Sequence, residues 1–297
     1  MRNKLMLLIL LSYTLMAQAV PDGSTAQIQD DELTSAVLKF TSSPKLHSSI
    51  ALIYDEQGQS ALYTKNADTV ASIASITKLM TAMVVLDAQL PLDEEISISV
   101  QDMDMLKGTR SRMNPGTKLT RGELLRLALM SSENRAAAAL ARTYPGGTSA
   151  AVAMMNIKAL ELGMKDTRFL DPTGLNSGNV STAQNLVKMV QAAQRYDLIH
   201  QYTTTPSYMV QSGGRHSRPM RFNNTNPLVK NASWDIGISK TGYISEAGRC
   251  LVMQARINQR PVVIVLLDSW GLRSRIGDAN RIKKWMESAY ARGIRHS

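Results

Sequence analysis

The stretch DIGISKTGY, residues 235–243, is the first of three strand-like runs that decide the fold of this chain. Residues 249–257 and 262–268 form the second and third runs, and only short turns separate the three. Runs of aliphatic and β-branched residues bounded by turn-forming residues are typical of strands, and strands joined by short turns pair antiparallel. The sequence therefore predicts a three-stranded unit that carries Lys240-Thr241-Gly242 on its first strand.

An early hairpin completes the predicted sheet. Residues 48–54 (SSIALIY) and 60–65 (SALYTK) are strand-like, and a turn at 56–59 separates them. Because an isolated two-stranded hairpin is barely stable in water, we expect it to join the later strands. The result is a five-stranded, mainly antiparallel sheet.

Helical patterns occupy the middle of the chain. An apolar face predicts a long helix over 75–89, and a capping box at Thr120 and Glu123 opens a second helix that continues to Met130. Further helices are predicted near 136–141, 150–162, 182–196 and 278–291. We therefore predict an α+β fold in which helices flank the sheet and an all-helical lobe is inserted at about residues 90–200.

The first residues have the features of an export signal. Arg2 and Lys4 precede an apolar run over 5–16, and Ala17-Gln18-Ala19 fits a cleavage site. The run is short for a bilayer span, although an uncleaved anchor is the alternative. We predict a signal peptide at 1–19, a linker at 20–45 with one short helix near 31–39, and a single folded domain at 46–292.

The composition fits a folded protein without disulfides. Hydrophobic residues make up 44% of the chain and charged residues 20%, which argues against disorder. Cys250 is the single cysteine, so no intramolecular disulfide can form, and its strand-like surroundings predict a buried structural thiol. The net charge of +10 favours an acidic wall polymer or a weak association with a membrane surface over nucleic acid, which an exported protein rarely meets. A solvated basic surface without a partner is the alternative.

Three short motifs carry the predicted chemistry: Ser75-Ile76-Thr77-Lys78, Ser132-Glu133-Asn134 and Lys240-Thr241-Gly242. A serine hydroxyl needs a nearby base, and a lysine can be that base when burial or positive charge lowers its pKa. None of the four histidines lies in a triad-like setting, and no H-E-x-x-H pattern or comparable cluster predicts a metal or a cofactor. Together the motifs predict acyl transfer by a serine that a lysine activates.

The first motif supplies a nucleophile and a base. Ser75 and Lys78 are three positions apart on a predicted helix, so their side chains share a face and can touch. Near the first turn, the N–H of Ser75 would lack a helical partner and could bind an oxyanion. In isolation, Ser75 could equally be a helix N-cap with Lys78 as a solvated neighbour.

The other two motifs offer groups for proton transfer and binding. Ser132 and Asn134 are predicted in a loop between two helices, where the serine could relay a proton and the amide could donate to a substrate carbonyl. Lys240 and Thr241 offer a fixed positive charge and a hydroxyl to an anionic substrate end, and Gly242 lets a substrate backbone approach the sheet. The alternatives are ordinary loop residues and an edge-strand lysine that discourages aggregation.

With these motifs the chain resembles the serine penicillin-recognising peptidases over about residues 45–292. Two further segments support the resemblance. The first is residues 115–120, in which Pro115-Gly116 is followed two residues later by Leu119-Thr120, and the second is residues 171–176 (DPTGLN). The resemblance is strongest to the low-molecular-mass D,D-peptidases of the penicillin-binding protein 7 type, which have Ser-Glu-Asn as their middle motif. It implies the transpeptidase-like fold that β-lactamases share.

The resemblance also implies a role for each motif residue. Ser75 would be the nucleophile, Lys78 the general base and Ser132 the proton relay. The implied substrate ligands are Asn134, Lys240, Thr241 and Gly242, with the backbone N–H groups of Ser75 and Tyr243 as the oxyanion hole. The family places an arginine after the last strand, near the substrate carboxylate. Arg275 is our assignment for it, with an ordinary surface arginine as the alternative.

The implied function is cleavage of peptidoglycan stem peptides in the periplasm at a bond made by D-alanine, with β-lactam antibiotics as covalent inhibitors. Two strands and a helix use the residues after Gly242, so we expect no C-terminal β domain. That expectation and Ser-Glu-Asn favour an endopeptidase of D-Ala–meso-diaminopimelate cross-links over a D-alanyl-D-alanine carboxypeptidase.

Two other functions are disfavoured. A β-lactamase would need a glutamate in E-x-x-L-N, where residues 171–176 offer an aspartate and one residue too many. A non-catalytic wall-binding module would not need a nucleophile paired with a base.

Overall fold

The computed structural model describes residues 42–211 and 219–293. The strands β1 to β11 are Ser48–Asp55, Ser60–Lys65, Ala71–Ser72, Glu95–Ser97, Lys118–Thr120, Val180–Ser181, Ser207–Val210, Met220–Asn223, Asp235–Ile244, Gly248–Ile257 and Arg260–Ser269. The helices α1 to α7 are Thr77–Asp87, Arg121–Met130, Asn134–Arg142, Gly147–Glu161, Ala183–Ala193, Asp197–Thr203 and Ser274–Gly293. Short 3₁₀ turns occur at Ala74–Ile76, Val100–Asp102 and Pro227–Lys230. The predicted signal peptide and the short helix near 31–39 lie outside the described residues.

A five-stranded sheet with the order β2-β1-β11-β10-β9 forms the centre of the fold. The early hairpin joins through β1, where Ser48 lies opposite Ser269 of β11 and Asp55 lies opposite Val262. Every pairing in this sheet is antiparallel, which confirms the predicted architecture. Strand β9, which carries residues 240–242, is at one edge, so its outer side is available to the site.

Two apolar layers cover the two faces of the sheet. Successive residues of a strand point to opposite faces, so Val265 of β11 lies in one layer and Leu266 in the other. The first layer contains the buried faces of α1 to α6, and α5 packs directly on β1, β10 and β11. The second layer is formed by α7, which buries Ala279, Ile282, Met286 and Ala289.

Three helix starts differ from the sequence prediction. Ser75 belongs to the 3₁₀ turn that precedes α1, because the α-helix begins only at Thr77. Asn134 is the first residue of α3 rather than a loop residue. Helix α7 begins at Ser274, four residues earlier than predicted, and this brings Arg275 into its first turn.

The last hairpin is also tighter than predicted. Asn258 and Gln259 have φ angles of 51° and 63°, the left-handed geometry of a two-residue hairpin turn. Arg260 and Pro261 therefore belong to β11 rather than to the turn. Helix α6 and the small hairpin of β7 and β8 were not predicted. Among the described residues, no helix is long and apolar enough to cross a bilayer.

Candidate active site

Ser75 lies where a tight turn meets the edge strand of the sheet. Ala74, just before it, has a φ of 46°. A side chain at Gly242 of β9 would lie 3.0 Å from the backbone nitrogen of Ser75, and one at Gly174 would overlap the carbonyl of Ala74. Both glycines are therefore needed, because β9 and the loop containing Gly174 pack directly on the turn that presents Ser75.

The Lys78 side chain is fully buried and points at Ser75. Its Nζ lies 2.8 Å from Ser75 Oγ, 2.8 Å from Asn134 Oδ1 and 2.6 Å from the carbonyl oxygen of Thr173. Burial lowers the pKa of Lys78 to about 7, although the nearby carboxylates of Asp171 and Glu133 act in the opposite direction. A neutral amine here can donate to Asn134 and Thr173 while it accepts the hydrogen of the Ser75 hydroxyl.

The carbonyl of Thr173 is a site group that sequence reasoning missed. The Asp171 carboxylate accepts hydrogen bonds from the Thr173 hydroxyl and from the backbone N–H groups of Thr173 and Gly174, both at 3.1 Å. Asn179 is fully buried and ties this loop to α1, because its Nδ2 donates to Thr77 Oγ1 at 3.0 Å. The Asp-Pro-Thr-Gly run was a usable signal, since an aspartate that accepts from the second residue after it fixes a turn.

Ser132 and Lys240 form a second hydrogen-bonded pair. Lys240 Nζ lies 2.8 Å from Ser132 Oγ and 2.8 Å from the carbonyl oxygen of Thr241. Ser132 has a φ of 60°, so its side chain leaves the chain from a left-handed turn between α2 and α3. Burial, together with the positive charges of Lys78 and Arg275, lowers the pKa of Lys240 well below its usual range. These surroundings oppose the expectation that Lys240 carries a fixed positive charge.

Arg275 is buried beneath the end of β9, so the surface-arginine alternative is wrong. Its Nη1 donates to the carbonyl oxygens of Gly242 at 2.7 Å and of Cys250 at 3.2 Å, and its Nε is buried with no hydrogen-bond partner. Burial and the neighbouring charge of Arg249 lower the pKa of Arg275 to about 10. The guanidinium therefore supports the β9–β10 edge beside residue 242, while its contact with a substrate stays a prediction.

Thr241 and Tyr243 flank Gly242 on β9. Thr241 Oγ1 lies 2.6 Å from Thr225 Oγ1, and the N–H of Thr225 donates to Met130 at the end of α2, so this contact links the edge strand to the helical side. Tyr243 is 56% exposed, and the guanidinium of Arg249 lies 4.5 Å from its ring centre. The use of the Tyr243 N–H in an oxyanion hole stays a prediction.

Cys250 is a buried thiol, as its sequence context predicts. Its side chain is fully buried on β10, and its Sγ lies 3.4 Å from the carbonyl oxygen of Ala247. Burial raises the pKa of the Cys250 thiol to about 11, so it is protonated and inert at neutral pH.

The site therefore consists of two lysine–serine pairs, and Asn134, two residues after Ser132, contacts Lys78 of the other pair. Ser75 and Lys78 come from the start of α1, whereas Ser132 and Lys240 join the α2–α3 loop to β9. The structure thus brings all three motifs together. Ser132 contacts Lys240 rather than Lys78, whereas direct proton transfer from Lys78 to Ser132 would need these two side chains in contact.

Comparison with known proteins gives a consistent family. A family model described as D-alanyl-D-alanine carboxypeptidase matches residues 38–270. A D-alanyl-D-alanine endopeptidase of Pseudomonas aeruginosa is 47% identical over 251 residues, which cover 84% of this chain and 80% of the relative. A D-alanyl-D-alanine endopeptidase of Escherichia coli is 44% identical over 271 residues, 91% of this chain and 85% of the relative.

Solved structures agree with these matches. The Streptomyces K15 DD-transpeptidase superposes with a TM-score of 0.77 at 29% identity, over 84% of this chain and 100% of that one. A D-alanyl-D-alanine carboxypeptidase from Mycobacterium tuberculosis H37Rv superposes with a TM-score of 0.72 at 26% identity, over 82% of this chain and 92% of that one. They confirm the predicted transpeptidase-like fold.

Proposed function

The chain belongs to the D-alanyl-D-alanine carboxypeptidase family of hydrolases, and from this premise we propose that it is an endopeptidase of D-Ala–meso-diaminopimelate cross-links in peptidoglycan. Two relatives that are 47% and 44% identical carry the endopeptidase name, which supports this choice over removal of a terminal D-alanine. The enzyme acts in the periplasm, where its substrate is found.

One observation carries the mechanism: a buried Lys78 amine with a pKa of about 7 lies 2.8 Å from the Ser75 hydroxyl. The neutral amine takes the hydroxyl proton as Ser75 Oγ attacks the D-alanine carbonyl carbon. The negative charge on the carbonyl oxygen is met by the backbone N–H groups of Ser75 and Tyr243. The Ser132 hydroxyl gives its proton to the leaving amine as the C–N bond breaks and regains one from the Lys78 ammonium, which requires this hydroxyl to turn away from Lys240. Water then hydrolyses the ester on Ser75.

The remaining site residues hold the substrate. The amide of Asn134 contacts a carbonyl on the acyl side of the scissile bond. Lys240, Thr241 and Arg275 bind the carboxylate next to the leaving amine, and this anion would stabilise the protonated form of Lys240 that burial and the neighbouring positive charges disfavour. A penicillin presents a carboxylate beside its reactive amide in the same way, so β-lactams acylate Ser75.

Cleavage of cross-linked muropeptides tests the substrate. Purified protein should convert dimeric muropeptides into monomers, measured by chromatography, and the Ser75→Ala variant should leave them intact. Trimming of pentapeptide monomers with no cut in dimers would instead identify a carboxypeptidase.

Intact-mass measurement after incubation with benzylpenicillin tests the nucleophile. We expect one stable adduct, with peptide mapping that assigns it to Ser75. Because Asp171 is engaged with its own turn and no glutamate replaces it, deacylation should be slow. Rapid turnover of nitrocefin would identify a β-lactamase instead.

A further inference from the structure

A charged pair links the loop that contacts Asn134 to the turn at the end of β9. Lys107 Nζ contacts Glu246 Oε1. Lys107 lies in the loop of residues 103–113, which is held to the helical side because Arg135 of α3 donates to the carbonyl of Met113 at 2.7 Å. Glu246 lies in the turn between β9 and β10. The pair therefore joins the helical side of the fold to the sheet.

The loop that carries Lys107 is fixed relative to the site. The Asp104 carboxylate accepts from the backbone N–H groups of Leu106, Lys107 and Thr109 at 2.8–2.9 Å. The hydroxyl of Thr109 accepts from Asn134 Nδ2 at 2.9 Å, and the other end of this amide contacts Lys78. Lys107 is thus linked to Asn134 by a chain of three hydrogen bonds through Thr109 and Asp104.

The pair itself is open to solvent. The side chains of Lys107 and Glu246 are 29% and 44% exposed, and exposed ion pairs contribute little to stability. Glu246 also lines an open cavity of about 410 Å³, together with Asn66, Thr69 and Asp268, so the approach to its carboxylate is not filled by protein. Lys107 lowers the pKa of Glu246 to about 2, which keeps the carboxylate charged at neutral pH.

Strand β9 sets the direction in which a substrate would lie. In the proposed function the anionic leaving end sits at Lys240 and Thr241, and the reacting carbonyl sits at Gly242. The acyl part of the peptide must then extend past Tyr243 towards Glu246. An extended peptide on an edge strand advances about 3.3 Å per residue, so the residue before the scissile D-alanine lies beside the end of β9. A long side chain from that residue reaches the charged pair.

In stem peptides of this type, the residue before D-alanine is meso-diaminopimelate, whose side chain ends in an ammonium and a carboxylate on one carbon. On the basis of the proposed function, we propose that Lys107 and Glu246 recognise this zwitterionic end. The Glu246 carboxylate binds the substrate ammonium, and the Lys107 ammonium binds the substrate carboxylate. Binding exchanges one ion pair within the protein for two with the substrate.

Steady-state kinetics on matched dimers test the proposal. Lys107→Gln and Glu246→Gln should each raise KM about tenfold for dimers with a free diaminopimelate end and leave kcat within about twofold. Amidation of the diaminopimelate carboxylate should raise KM for the wild type and for Glu246→Gln, but should add nothing to the loss in Lys107→Gln. Glu95→Gln, which breaks the exposed Lys118–Glu95 pair on β4 and β5, is the matched control and should change neither constant.

Acylation by benzylpenicillin shows whether the Lys107–Glu246 pair recognises the diaminopimelate end or only obstructs access to Ser75. The drug has no zwitterionic side chain, so both variants should be acylated at the wild-type rate. Faster acylation of both variants would mean that the pair is only a lid, and an unchanged KM would mean that it is an ordinary surface ion pair. Either result overturns the proposal.

The two proposals can also fail separately. If the wild type leaves every dimer intact, the endopeptidase assignment is wrong, and the same comparison on pentapeptide monomers with diaminopimelate or lysine at the third position still tests Lys107 and Glu246. Equal KM values for those two monomers would then overturn the recognition of the zwitterion.

Discussion

The far end of the sheet and its active-site end treat a buried charge in opposite ways. At the far end, Asp55 of β1 is fully buried and meets the guanidinium of Arg260, with 2.9 Å between Asp55 Oδ2 and Arg260 Nε. Each charge therefore lies against an opposite charge. At the site, Lys78 is equally buried, but its nearest partners are a hydroxyl, an amide oxygen and a backbone carbonyl.

The difference shows how one fold makes an inert ion pair and a reactive amine. A buried group that faces an opposite charge favours its charged form, because neutralising it would leave the other charge uncompensated in a low dielectric. A buried lysine without a carboxylate in contact has no such restraint, and desolvation then favours the neutral form. The carboxylates that act on Lys78, such as Asp171 and Glu133, are close enough to raise its pKa but do not bond to it. The pKa of Lys78 is thus close to neutral pH, so the amine can lose and regain a proton there.

Removal of the reactive amine should have the largest effect. Lys78→Met keeps an unbranched side chain of similar length in the apolar surroundings of α1 but removes the base. The rate of acylation by benzylpenicillin should fall by about a thousandfold or more, since general-base groups contribute roughly 10² to 10⁴. Stopped-flow acylation measures this, and circular dichroism checks the fold. Acylation of folded Lys78→Met at the wild-type rate would eliminate Lys78 as the base.

The sequence was sufficient to predict the sheet and the side chains of the three motifs. Strands and the Thr120–Glu123 capping box are encoded locally, by runs of aliphatic and β-branched residues and by residue types at fixed offsets. The contact of Ser75 with Lys78 followed from a spacing of three residues and survives the correction of Ser75 to a 3₁₀ turn, because that turn leads directly into α1.

The rest of the site depends on groups that the sequence does not distinguish. The Thr173 carbonyl is a backbone atom that every residue carries, and it lies 98 and 95 residues from the Ser75 and Lys78 that it contacts. Its placement depends on Asn179. The pairing of Ser132 with Lys240 and the burial of Arg275 arise from contacts between distant segments. Such contacts are fixed only when the helical side packs on the edge strand.

Breaking the ion pair at the far end should affect stability rather than chemistry. Asp55→Asn removes the carboxylate that faces the buried Arg260 guanidinium, so the free energy of unfolding should fall by about 3 kcal/mol. Urea denaturation measures the change, and acylation of the folded fraction should match the wild type. Glu95→Gln, in an exposed pair, is the control and should change stability by no more than about 0.5 kcal/mol. Equal losses of unfolding free energy in both variants would mean that the buried Asp55–Arg260 pair contributes no more to stability than an exposed pair.

The smallest expected effect is the change of the acylation rate with pH, which tests directly whether the buried Lys78 is neutral. A base must be neutral, and Lys78 has a pKa of about 7, so acylation should be slow below that pH and reach a plateau above it. With this value, about one eleventh of the amine is neutral at pH 6 and about ten elevenths at pH 8, a gain of about tenfold. Acylation rates from pH 5.5 to 9 measure the profile, and a rate that is flat across this range would contradict a neutral-lysine base.

Replacement of Glu133 tests whether the pH profile of acylation reports the titration of Lys78. The negative charge of Glu133 favours the ammonium form and so raises the pKa of Lys78. Glu133→Gln should therefore move the midpoint of the profile to lower pH and increase the rate at pH 6, with little change on the plateau. Glu95→Gln removes an equal charge at the exposed β4–β5 hairpin and should leave the midpoint in place. A midpoint that moves upward in Glu133→Gln, or equally in both variants, would mean that the titration seen in the rate belongs to a group other than Lys78.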